Sequence, residues 1–223
     1  MVHARRGDRA NYRAVQSRLC DGAEPLTVVR ALLALHPFRC LYVADLDAIQ
    51  GQGDHRGALA RIRSTFPGLE LWVDSGLADG TAAANWRASG LGLPVVGSES
   101  LRDMAALEDI AAALSGRAWI LSADFRGEQF LGPPDLLQHA AHLWPQRVLA
   151  MNLARVGSMH GPDLDLIRRL TRIAPGREVY AAGGVREVAD LHDAAGAGAS
   201  GALLATALHD GRIGAAELTR LAD

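Results

Sequence analysis

The sequence predicts an α/β barrel made of two similar halves, on three observations. Short apolar runs alternate with helical stretches along most of the chain, as a parallel sheet with crossover helices requires. Polar residues gather where those runs end, at Asp45, Asp47, Asp74, Asp124 and Asn152, which is where the loops of a barrel's working face begin. The chain also repeats itself. Pro67 and Pro175, Gly68 and Gly176, and Gly76 and Gly184 are each 108 positions apart, and the same offset pairs Gly90 with Gly198 and Pro94–Ser98 with Ala202–Thr206. A repeated strand, glycine turn, helix and strand is a half-barrel made twice. An open dinucleotide-binding sheet would carry GxGxxG after its first strand, and none is present there.

Taken in order, residues 1–22 are polar and arginine-rich without helical period, and read as irregular chain or a hairpin. Ala23–His36 reads as a helix, with Pro25 in its first turn and Leu26, Val29, Leu32 and Leu33 at helical spacing. Arg39–Asp47 is a strand ending in carboxylates, and His55–Phe66 a helix closed by Pro67-Gly68. Further strands are expected at Leu69–Asp74, Pro94–Gly97, Ala118–Asp124, Arg147–Leu153, Glu178–Ala182 and Gly201–Ala205. Between and after them, helices are expected at Asp79–Ser89, Leu101–Leu114, Pro134–Trp144, Pro162–Ile173, Arg186–Ala195 and Gly214–Leu221. Several strands are continuous apolar runs, as parallel strands covered on both faces should be. The whole of 1–223 reads as one domain, with first-half units over 39–113 and second-half units over 117–223. Seven good strands are found rather than eight, and the deficit lies at the front.

Composition narrows the chemistry. The 223 residues carry a net charge of −2, which gives no basic footprint for nucleic acid and no polybasic membrane patch. All 23 positive residues are arginines. The absence of lysine excludes Schiff-base catalysis, lysine-bound pyridoxal phosphate and a Walker-type phosphate lysine. Two cysteines make no disulfide framework, and no apolar stretch reaches membrane-spanning length, so a soluble cytoplasmic protein is expected. His139 and His142 lack zinc-like partners, and neither a metal nor a cofactor is implied.

Phosphate binding must then rest on backbone N–H groups, helix N-termini and arginine. Gly183 and Gly184 close one apolar strand before a helix, and Ala205 and Thr206 close the next. Neighbouring strand ends of this kind can pool N–H groups around a dianion. The first-half copy offers Ser75, Gly76, Gly97 and Ser98 as a second, weaker site, where Asp74 repels an anion unless an arginine such as Arg102 pairs with it. Arg155 is a candidate phosphate clamp. Asp124, alone at a strand end, is the first candidate for acid/base catalysis. Asp47 is the second, sharing one side of its strand with Asp45; the alternative is that these two cap the following loop or pair with arginines such as Arg5 or Arg6.

The segments LYVADLDAI, WILSADFRG, LARVGSMHGPDLDLI and VYAAGGVREVADLHDAAGAGASGALLATALHDG resemble the HisA/HisF family, the half-barrel-duplicated (βα)8 TIM-barrel enzymes of histidine biosynthesis. The likeness is closest to the HisA branch, the phosphoribosylformimino aminoimidazole carboxamide ribotide isomerases, and it covers nearly the whole chain. It implies an Amadori rearrangement of an aminoaldose to an aminoketose, one aspartate acting as base and another as acid. It also implies a substrate with two phosphates gripped at opposite sides of the barrel mouth. The departures are specific. The family's first strand, with its first catalytic aspartate, belongs upstream of HARRGDRANY. Its arginine-aspartate-glycine-threonine pattern is here Arg155-Val156-Gly157-Ser158. Its first-half glycine triplet is here Asp74-Ser75-Gly76. Only Asp124 lies where the resemblance expects a catalytic aspartate.

Two function classes follow. The favoured one is a divergent HisA-like isomerase, or related acid/base enzyme, on a phosphorylated sugar-like metabolite other than the histidine intermediate. The other is a non-catalytic phosphometabolite-binding paralogue, in a setting such as C1-cofactor biosynthesis. The missing strand is either encoded upstream of Met1 or truly absent; the latter leaves an edge through which copies of the chain could associate.

Overall fold

The computed structural model describes residues 1–4, 6–116 and 118–222. A short antiparallel hairpin, β1 (Val2–His3) and β2 (Arg13–Ala14), comes first. The first half follows as α1 (Pro25–Leu35), β3 (Cys40–Ala44), α2 (Leu46–Ile49), α3 (Arg56–Thr65), β4 (Glu70–Asp74), α4 (Gly80–Ser89), β5 (Leu93–Gly97) and α5 (Met104–Ala113). The second half is β6 (Ile120–Arg126), β7 (Gln129–Phe130), α6 (Asp135–Gln138), β8 (Arg147–Asn152), α7 (Leu164–Ile173), β9 (Glu178–Ala182), α8 (Val188–Gly196), β10 (Gly201–Leu203), α9 (Thr206–His209) and α10 (Ala215–Ala222).

Seven strands pair in parallel in the order β10-β9-β8-β6-β5-β4-β3, and β7 folds back antiparallel on β6. The sheet curls into a nearly closed TIM barrel. One apolar cluster gathers side chains from all seven parallel strands, including Tyr42, Trp72, Val95, Ile120, Leu149, Tyr180 and Leu203, and this is the barrel interior. Alternate residues face outward: Leu71, Val73, Val96, Leu121, Val148 and Val179 pack under the helices in the larger cluster. At the N-terminal end of the barrel Arg147 plugs the opening. Its Nη1 donates to Glu70 at 2.8 Å, Glu178 lies 3.5 Å away, and its guanidinium stacks on Trp72.

No strand pairing joins β3 to β10 among the described residues. Both edge strands are half-exposed along their length, whereas the strands between them are largely buried. Outside the seam, Leu32, Leu35 and Phe38 pack against Ile213, Leu208 and Leu218, so helices cover what the sheet leaves open.

Several elements differ from expectation. The strand at the first carboxylate pair stops at Ala44, because Asp45 caps α2 and turns the chain. The helix expected at Pro134–Trp144 breaks after Gln138 into a separate turn at 141–143. Leu136, Leu137, Ala140 and Trp144 are all buried, and Trp144 Nε1 donates to Leu136 O at 3.2 Å, which ties the turn back onto the end of the short helix. The chain after Asp124 continues the strand to Arg126 and folds back as β7. The first residues form a hairpin tethered at three strand ends: Arg6 N donates to Val156 O at 2.8 Å, Arg9 pairs with Glu99, and Arg18 N donates to His209 O at 2.9 Å. The N-terminal segment therefore lies across the C-terminal mouth.

Candidate functional site

Alternation along the strands decides which polar residues reach the mouth. Counting inward positions, β4 presents Glu70, Trp72 and Asp74, β5 presents Leu93, Val95 and Gly97, and β6 presents Ile120, Ser122 and Asp124. Asp74, Gly97 and Asp124 thus form the upper layer on three adjacent strands. Both carboxylates are buried, Asp74 at 6% exposure and Asp124 at 4%. Between them Gly97 offers only hydrogen. A Cβ there would stand 3.1 Å from Asp124 Oδ2 and 3.3 Å from Asp74 Oδ2.

Asp124 is held on several sides. Ser122 Oγ donates to its Oδ1 at 2.6 Å, and Glu99 N donates to Oδ2 at 3.2 Å. Its own N–H is accepted by Ser98 Oγ at 2.8 Å, while that hydroxyl donates to Leu131 O at 2.7 Å. Asp74 Oδ1 accepts from Gly76 N at 3.0 Å. Burial pushes the Asp124 carboxyl up to about 8, with the charge of Asp74 next in weight. Asp74 is pushed up to about 6, by burial first, against the pull of the Gly76 N–H. Tyr42 stays un-ionised, its pKa raised by burial and by the surrounding carboxylates. Glu99 and its partner Arg9 lie over this acidic floor.

The expected first-half phosphate cradle is therefore corrected. Gly97 faces two carboxylates, Ser98 is fully buried and committed to Leu131, and Gly76 packs its α-carbon on the Ile49 backbone while its N–H serves Asp74. Ser75 Oγ is buried without a partner among the described residues. Arg102, expected to neutralise Asp74, instead pairs with Asp103 at the surface. A dianion here would face Asp74, Asp124 and Glu99, with Arg9 beside them already engaged by Glu99.

On the other side of the mouth, Ala181 and Ala182 pair with Ala202 and Leu203, which sets Gly183-Gly184 level with Leu204-Ala205. Gly184 has φ +90, and a Cβ there would come within 2.1 Å of Gly161 O, so only glycine fits against the β8–α7 loop. Gly183 packs against Val156 in the same way. Among the described residues nothing takes the N–H groups of Gly184, Ala205 or Thr206. These groups lie at neighbouring strand ends on a partly exposed rim, and among the described residues Ser158 Oγ in the β8–α7 loop is buried without a partner. Arg155 is turned to its own loop, Nη1 donating to His160 O at 3.0 Å.

Asp47 does not share a strand face with Asp45. It sits half-exposed in the first turn of α2, 3.7 Å from His55 Nε2. Asp45 is the buried member, accepting from His55 N at 2.7 Å and contacting His55 Nδ1 at 2.8 Å. Arg5, an alternative partner for that pair, lies outside the described residues. Sequence reasoning missed Asp74 as an inward partner of Asp124, and missed Ser122, Glu99 and Arg9. The signal for Asp74 was present: Glu70 and Asp74 are polar ends of an alternation whose central member is the interior Trp72. No group of three or more His, Cys, Asp or Glu is placed to hold a metal among the described residues, and no helix there is long and apolar enough to cross a membrane.

Comparison with known proteins agrees with this architecture. The family model for histidine biosynthesis proteins matches residues 1–214. A Myxococcus xanthus protein is 31% identical over 213 residues, covering 89% of each chain. One from Stenotrophomonas maltophilia is 30% identical, covering 97% of this chain and 92% of its own. Both are named as isomerases of 1-(5-phosphoribosyl)-5-((5-phosphoribosylamino)methylideneamino) imidazole-4-carboxamide. An uncharacterized protein of Methanocaldococcus jannaschii is 24% identical over 94% of this chain. With its half-barrel repeat, its nearly closed parallel barrel and a match along almost its full length, the chain belongs to the histidine biosynthesis protein family, as a HisA-like member.

Proposed function

We propose that this protein is an acid/base isomerase of the aldose–ketose type acting on a phosphorylated, ribotide-like metabolite. One observation carries the reading: a buried, inward-facing Asp124 at the C-terminal rim of a barrel whose relatives are named isomerases. A phosphate of the substrate sits on the free N–H groups of Gly184, Ala205 and Thr206, with Gly183 supplying the close approach. The relatives' named substrate carries two phosphoribosyl groups, whereas the first-half rim of this chain presents Asp74, Asp124 and Glu99. A second phosphate is repelled there, so the native substrate differs from the histidine intermediate and carries one phosphate at the second-half rim. Val156, where the family pattern holds an acidic residue, supports the same conclusion.

Complementation of a histidine auxotroph lacking this isomerase tests the substrate claim. No rescue is expected, and rescue would overturn it. Inorganic phosphate followed by calorimetry should bind the native chain and lose at least tenfold in affinity when Gly184 is replaced by alanine in a chain that remains folded. A non-catalytic binding protein is the second reading, favoured by the hairpin that covers the mouth through Arg9 and Glu99. Asp124→Asn separates the two: an enzyme loses turnover while keeping phosphate affinity, and a binder shows no turnover to lose.

A further inference from the structure

We propose that Asp74 and Asp124, leaning toward each other across Gly97, are the acid/base couple of this site, Asp74 taking a proton from carbon and Asp124 delivering one to the adjacent heteroatom. The inference rests on the isomerase reading and supplies the second proton-transfer group that Asp124 alone lacks. Geometry carries it. β4, β5 and β6 lie side by side, and the side chain missing at Gly97 is the room into which both carboxylates reach, 3.3 and 3.1 Å from where its Cβ would stand. Either residue, moved one position along its strand, would face the helices instead.

The surroundings keep the pair short of positive charge. Glu99 approaches from the turn after β5, Tyr42 from β3, and Arg9 from the N-terminal hairpin, where it is engaged by Glu99. From β8 and β9 the interior residues at the same side are Met151 and Ala182, which are uncharged. Two buried carboxyls so placed hold one proton between them rather than none. Their unequal partners decide which one holds it. Asp74 has the Gly76 N–H and the influence of Arg9 to favour its charge, while Asp124 is the more deeply buried and feels the charge of Asp74. At neutral pH the pair is one carboxylate and one carboxylic acid, the two states an isomerase needs together.

The proton balance closes. In the open-chain imine of a phosphorylated aldose, the Asp74 carboxylate removes the proton on C2 while the Asp124 carboxylic acid protonates the imine nitrogen, giving an enaminol. Asp74, now protonated, returns its proton to C1, and the C2 hydroxyl proton goes to the Asp124 carboxylate. The product is an aminoketose and both residues regain their starting states, with no oxidant, metal or cofactor consumed.

Carbon-13 labelling of the aspartate carboxyls in the full chain reads the couple directly. One carboxyl should titrate above pH 7 in the native protein, and Asp74→Asn, which preserves shape, should lower that midpoint by at least one pH unit. An unchanged midpoint would overturn the coupling. In turnover assays on a phosphorylated aminoaldose, kcat should be bell-shaped in pH. Asp74→Asn and Asp124→Asn should each lower it roughly 10²–10⁴-fold with KM little altered. Turnover by the native chain with undiminished kcat in Asp74→Asn removes the couple and leaves the isomerase standing. No turnover by the native chain with any phosphorylated aldose removes the isomerase reading, and the catalytic role of the couple with it.

Discussion

Asp124 is destabilising in the form that a carboxylate takes in water, and this sets a pH signature. Its folded pKa is raised from 3.8 to about 8, so the native state holds a proton that the unfolded chain releases. The resulting stabilisation is full below about pH 4 and is lost as pH climbs through 8. Asp124→Asn removes that dependence. Thermal melts should show the variant a few degrees more stable than the native chain at pH 9, with the gap shrinking toward pH 5. Gly184 shows the opposite sensitivity. Alanine there meets Gly161 O at 2.1 Å from a backbone with φ +90, and denaturant titration should show a loss of about 1–3 kcal/mol. At this scale the sequence placed Asp124 near the C-terminal end of an inner strand and Gly183-Gly184 in a tight turn after the next strand but one, and the structure has both there. The sequence misled at Asp47 and Ser98. Whether a carboxylate ends a strand or caps a helix depends on where the chain turns, and a serine beside glycine can serve a neighbour's backbone instead of a ligand.

Among the elements, the turn after β3 is built on one carboxylate, the neighbour of the catalytic candidate Asp47. Asp45 caps the start of α2 and holds both the N–H and the ring of His55, the N-cap residue of α3. Its replacement by alanine should cost about 1–2 kcal/mol, measured by denaturant unfolding at pH 6. His55 gains its raised pKa first from the Asp45 hydrogen bond. The contribution of the pair is therefore complete below about pH 6.5 and falls as pH rises through the raised folded value. The difference between native and Asp45→Ala chains should narrow from pH 6 to pH 9. Most of the β and α segments were legible because parallel strands are apolar runs and their helices carry capping aspartates, as Asp79, Asp103 and Asp163 do. The segment at 134–144 was not. Its apolar residues at helical spacing do reach the core, but the backbone leaves the helix after Gln138, which the spacing does not show.

For the molecule as a whole, the repeat foretold an anion site at each rim, the first-half one weaker, and the structure makes the two rims unlike. One rim offers unpaired N–H groups and the other a pair of acids, although the two share a backbone path. Over both runs the arginine-rich hairpin, anchored to the acidic side by Arg9 and Glu99. Arg9→Ala should release that anchor, and limited proteolysis should then cut within residues 1–22 several-fold faster while the barrel resists as before.

Among the described residues the parallel ladder runs from β3 to β10, and its two outer strands do not lie equally near the two rims. Thr206 and its neighbours follow β10, a terminal strand of the ladder, whereas Asp124 stands on β6, its middle. Fraying travels inward from a free border. Warming short of global melting should therefore loosen the grip on an anion before it disturbs the carboxyls, and amide exchange should be fastest along β3 and β10 and slowest along β6 and β8.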